Sequence, residues 1–92
     1  MQITLPFVQA HCLSMLKLAQ KNFNKNPNST NFSALTSAML AHQQAAHIGR
    51  TQHGCSINLL LEKLEALPFG AWPETIVKFT TGLTIREVLT AA

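Results

Sequence analysis

The feature that most constrains the fold is a run of small side chains on a seven-residue repeat. Ala34, Ala38, Ala41, Ala45 and Ile48 recur at alternating intervals of four and three, which keeps them on one face of an α-helix. Leu35, Met39, His42 and Ala46 form a second stripe beside them. A strand cannot use this pattern, because its side chains change face at every residue. The spacing therefore predicts a helix over Phe32 to Ile48. An alanine flank puts little bulk between backbones, so it also predicts a second helix packed near the lower end of the ~8–10 Å interaxial range. That neighbour is either the first helix of the same chain or the same helix of a second copy.

The rest of the chain reads as further helices. Thr4 is a candidate N-cap, with Pro6 tolerated in the opening turn where the backbone N–H groups lack partners. Leu5, Val8, Cys12, Met15, Ala19 and Phe23 follow at helical spacing, and Leu13, Leu16 and Leu18 widen the apolar stripe. Asn24 to Asn31 (NKNPNSTN) reads as a loop, with Ser29, Thr30 or Asn31 capping the second helix. Gly49 and Gly54 bracket a stop, and Ser56 can cap a third helix running to about Leu67. Pro68 to Pro73 (PFGAWP) predicts a rigid turn carrying Phe69 and Trp72. Pro73 at a first helical position, with Glu74 and Lys78 one turn apart, predicts a short fourth helix ending at Thr80-Thr81-Gly82. Thr84 with Glu87 forms a capping box for a fifth helix, and Leu83 can staple onto Val88. No segment alternates with a period of two, so the class is all-α.

At 92 residues the chain has room for one domain. That size suits a small core and not a deeply enclosed active site. No uninterrupted apolar run exceeds four residues, so nothing is expected to span a membrane. The first basic residue is Lys17, which leaves no signal-peptide n-region, so a cytoplasmic protein is expected. Charged residues make up only 12%, about half the usual share. Copies of such a chain repel one another weakly, which favours self-association. The charge is also uneven. Residues 1–61 carry Lys17, Lys21, Lys25 and Arg50 with no acid, whereas all four acids, Glu62, Glu65, Glu74 and Glu87, lie beyond. The N-terminal two-thirds is thus the side to meet an anionic partner.

Chemistry-bearing residues are sparse. His11, Cys12, His42, His47, His53 and Cys55 are all the His and Cys in the chain. They lack zinc-finger spacing, and His42 and His47 stand about 140° apart around a helix. Buried reduced thiols, with histidines at helix ends or in water, are the simpler reading, and neither metal nor cofactor is expected. Cys12 beside His11, or Cys55 near His53, pairs a thiol with an imidazole. No carboxylate in the first 61 residues is available to orient such a base, although an Asn or Gln could serve. Glu62 and Glu65 read as a solvated helix face, and the four glycines are isolated, so no phosphate loop is present. An enzyme is not expected. The segment around Thr81-Gly82-Leu83 resembles a helix-turn-helix motif. Its second helix, however, would offer one Arg86 beside Glu87, too few donors to read a groove.

The sequence thus predicts a single helical domain over 1–92, a small bundle of three main helices plus two short C-terminal ones. Its expected role is that of a non-catalytic protein–protein interaction or adaptor module acting through helix-face packing, homo-oligomeric and most simply a homodimer. Ala34, Ala38, Ala41, Ala45, Phe69 and Trp72 are the candidate interface residues. Phe69 and Trp72 read either as an exposed anchor or as a plug closing one end of the core. The alternative is a small nucleic-acid-binding regulator, with Lys17, Lys21, Lys25 and Arg50 as the contacts to an anionic partner.

Overall fold

The computed structural model describes residues 3–51 and 54–91, with side chains for all of these but 49–51 and 54–56. Among the described residues the chain is all-α. Helix α1 (Leu5–Lys25) opens on Thr4, whose Oγ1 accepts the Phe7 N–H at 3.3 Å, with Pro6 in the first turn as expected. Helix α2 (Ser29–Thr51) follows after only three linking residues, 26–28.

The asparagine-rich stretch is therefore not an eight-residue loop. It is a tight helix–helix hairpin in which the amides complete both helix ends. Asn28 Oδ1 accepts the Asn31 N–H at 2.8 Å and caps α2, a role expected of Ser29, Thr30 or Asn31. The Asn31 side chain points the other way. Its Nδ2 donates to the Asn26 carbonyl at 2.8 Å and the Asn22 carbonyl at 3.3 Å, adding a second bond to carbonyls that already accept the Asn28 and Asn26 N–H groups. Nor does Gly49 stop the second helix, which runs through it to Thr51. One glycine costs a helix about 1 kcal/mol, and the fully buried Ile48 just before it anchors the segment in the core.

Helix α3 (Gly54–Ala66) begins before the Ser56 cap that its sequence suggests. A single 3₁₀ turn, Phe69–Ala71, then leads into α4 (Trp72–Thr81), with Pro73 in the opening turn. Gly82 ends α4 in the left-handed region (φ 77°), its N–H donating to the Lys78 carbonyl at 2.8 Å. A side chain there would meet no atom within 4 Å; glycine serves because of its backbone angle alone. Helix α5 (Ile85–Ala91) begins on the predicted capping box. Thr84 Oγ1 accepts the Glu87 N–H at 3.1 Å, and Glu87 Oε1 accepts the Thr84 N–H at 3.0 Å. These bonds favour the ionised form and hold the Glu87 carboxyl below its ordinary range. Glu74 adds a longer link. Its Oε2 accepts the Ile85 N–H at 2.7 Å and ties α5 to the start of α4.

Helix α2 packs most extensively against α1 and next against α4. The alanine flank meets both: Ala41 and Ala45 share one core cluster with Val8 and Cys12 of α1, Leu60 and Leu64 of α3, and Trp72 and Ile76 of α4. Fully burying each of the larger aliphatic side chains stabilises the fold by about 1.5–3 kcal/mol. Gln9 Nε2 also donates to the Ala45 carbonyl at 3.0 Å, a bond from α1 that small side chains on α2 leave room for. Of the two neighbours the sequence left open, the one seen on this flank is the chain's own α1, joined by α4. No helix among the described residues is long and apolar enough to cross a membrane.

Candidate interaction face

Where α1, α2 and the 3₁₀ turn meet, the surface is hollowed. The wide apolar stripe of α1 is not all used inside: Met15 is 37% exposed and Leu18 51% exposed, not core as their spacing suggested. They form one wall of a hollow of about 230 Å³, faced by Phe69, Gly70 and Pro73, with Ala34, Ser37 and Ala38 of α2 beneath. The small residues of α2 create this depression. Toward α5 it joins a second groove of about 550 Å³ through the shared residues Ser37, Gly70 and Pro73. A Cβ at Gly70 would meet nothing within 4 Å, so the rim is open there.

The groove rests on an aromatic cluster. Trp72 is 2% exposed and its Nε1 donates to the Leu64 carbonyl at 2.9 Å, which gives its polar edge a partner inside the core. His11 stacks on Phe69 with ring centroids 4.4 Å apart and meets Trp72 edge-on at 4.9 Å. Phe7 closes the group edge-on to Trp72 at 6.2 Å. His11 Nε2 and His42 Nδ1 are buried without a hydrogen-bond partner among the described residues. Burial pushes the His11 imidazole below its usual pKa, because the charged form would lose its hydration. The same effect pushes the buried Cys12 thiol up to about 11, leaving it a thiol rather than a nucleophilic thiolate at neutral pH.

The expected interface residues divide cleanly. Ala34 is exposed and Ala38 is 7% exposed, both on the groove, and Phe69 stands 53% exposed on its rim. Ala41, Ala45 and Trp72 lie within the core at 2% exposure or less. Of the two roles open to the aromatic pair, Trp72 takes the plug and Phe69 the exposed position. The lysines Lys17, Lys21 and Lys25 are exposed on α1, and Lys17 lies about 200° around that helix from Met15, on a flank turned from the groove. Arg50 falls in α2, with its side chain outside the described residues, as do His53 and the side chain of Cys55. Among the described residues no group of three His, Cys, Asp or Glu side chains is placed to hold a metal ion.

Met15, Leu18, Gly70, Pro73 and His11 belong to this face although nothing in the sequence singled them out for it. The signal was present in α1, whose apolar stripe, widened by Leu13, Leu16 and Leu18, exceeds what one neighbouring helix covers. Comparison with protein-family models, with curated proteins and with solved structures finds no match to the chain.

Proposed function

We propose that the chain is a non-catalytic interaction module, a bundle of three main helices and two short ones, that pairs with a second copy of itself through the groove face. The observation that carries this reading is that a knob and a hollow sit side by side. Leu18 and Phe69 project, each about half exposed, beside the depression over Ala34 and Ala38. A two-fold axis brings the same patch of both copies together, so such a patch can fill itself. Low charge removes the opposing force, since only 12% of residues are ionisable as Lys, Arg, Asp or Glu. A standard interface covers about 800 Å² per partner, a modest share of the 6072 Å² that the chain exposes.

Light scattering at two ionic strengths tests this. The expected mass is twice 10.1 kDa, nearly unchanged by salt because the contact is apolar. Ala34→Glu should yield a monomer with unchanged helicity, and so should Gly70→Phe, which fills the hollow without adding charge. A mass of one chain at every concentration overturns the reading. So does assembly that needs low salt and vanishes when Lys17, Lys21 and Lys25 become Gln, a result that would favour an anionic partner held by the lysines of α1.

A further inference from the structure

A separate cleft lies between α3 and α4, sharing only Glu74 with the grooves described above. It is an open cleft of about 600 Å³ lined by Leu60, Ala66, Leu67 and Phe79, with Lys63 and Lys78. Its size falls within the roughly 300–1,000 Å³ of small-molecule sites. Helix α3 touches α4 over a smaller surface than α2 does; the two meet where Leu60 and Leu64 pack with Trp72 and Ile76 and where Trp72 Nε1 donates to the Leu64 carbonyl. Its floor is apolar: Leu60 is 1% exposed. The polar groups on its walls are mostly engaged elsewhere. Thr75 Oγ1 donates to the Ala71 carbonyl at 2.9 Å, and Glu74 Oε2 accepts the Ile85 N–H.

That leaves two ammonium groups, one from each helix, the Lys78 one also within electrostatic reach of the Glu87 carboxylate. Both lysines are exposed, and a lysine lining an apolar wall lays its methylene stem along it and keeps its charge at the water edge. With Glu74 counted, the lining carries one net positive charge. An apolar trough with a single net positive charge matches a molecule with one long apolar chain and one negative head.

We propose that the α3–α4 cleft binds a single-chain fatty carboxylate, its chain over Leu60, Leu67 and Phe79 and its head between Lys63 and Lys78. The site is independent of self-association. Titration of the whole chain with dodecanoate, followed residue by residue by amide NMR, tests it. Binding should saturate, with shifts centred on Leu60, Lys63, Leu67, Lys78 and Phe79. Replacing both lysines by Gln should weaken it about tenfold, as expected for losing charge-assisted contacts. Ala66→Trp, a change at an exposed position, should block the cleft and abolish binding with helicity intact. Ala34→Glu should leave binding unchanged, so failure of the dimer and failure of this site are told apart. The proposal is overturned if dodecyltrimethylammonium binds as tightly as dodecanoate. It is equally overturned if the shifts centre on Met15, Leu18 and Phe69, or if no saturable binding occurs.

Discussion

His11 is held against Phe69 and Trp72 in a setting that disfavours its charged form. The consequence for stability has a definite sign. Below the ordinary imidazole value of 6.5 the unfolded chain takes up a proton there that the folded chain resists, so stability falls as pH drops. Above 6.5 both states are neutral and His11 has no effect. Urea unfolding at pH 7.5 and 5.5 should therefore show lower stability at the acid value, and His11→Phe should shrink the difference between the two. Trp72 makes a second residue-scale test. Trp72→Phe keeps much of the apolar contact and removes the donor to the Leu64 carbonyl, so it should destabilise the chain by about 1–2 kcal/mol in the same assay. Trp72→Ala should cost about 3–5 kcal/mol, since it also leaves a cavity.

The elements show which parts of the fold can be read from sequence. Thr4, Gly82 and the Thr84/Glu87 box were legible because each is a local device, complete within a few residues. The Asn-rich stretch was not, because an asparagine serves a loop and a helix cap by the same hydrogen bonds, and only the arrival of both helices decides between them. Asn31→Ala, which removes two bonds to the end of α1, should cost about 1 kcal/mol in chemical unfolding. Gly82→Ala should cost about the same through backbone strain alone. Gly49 illustrates the opposite limit. A glycine is a poor local signal when burial of Ile48 holds the helix in place.

At the scale of the whole molecule, one run of alanines serves two surfaces. Its C-terminal half, Ala41 and Ala45, is enclosed by α1, α3 and α4, while Ala34 opens to the groove beside Met15, Leu18 and Phe69. The repeat identified the helix, but periodicity carries no information on where a neighbouring helix diverges, so the division between core and groove was not legible. It predicts a contrast within the run. Ala38→Glu puts a carboxylate at a position 7% exposed and should lower unfolding stability by several kcal/mol. Ala34→Glu should leave stability nearly unchanged and act on assembly alone. The central claim is that a second copy occupies the groove, and isotope-filtered NMR on a mixture of methyl-labelled and unlabelled chains measures that contact directly. Intermolecular cross-peaks should join the Ala34 and Leu18 methyl groups to the ring protons of Phe69 in the other copy. A mixture in which those methyls give no intermolecular cross-peaks, whether the chains stay single or pair through another face, contradicts it.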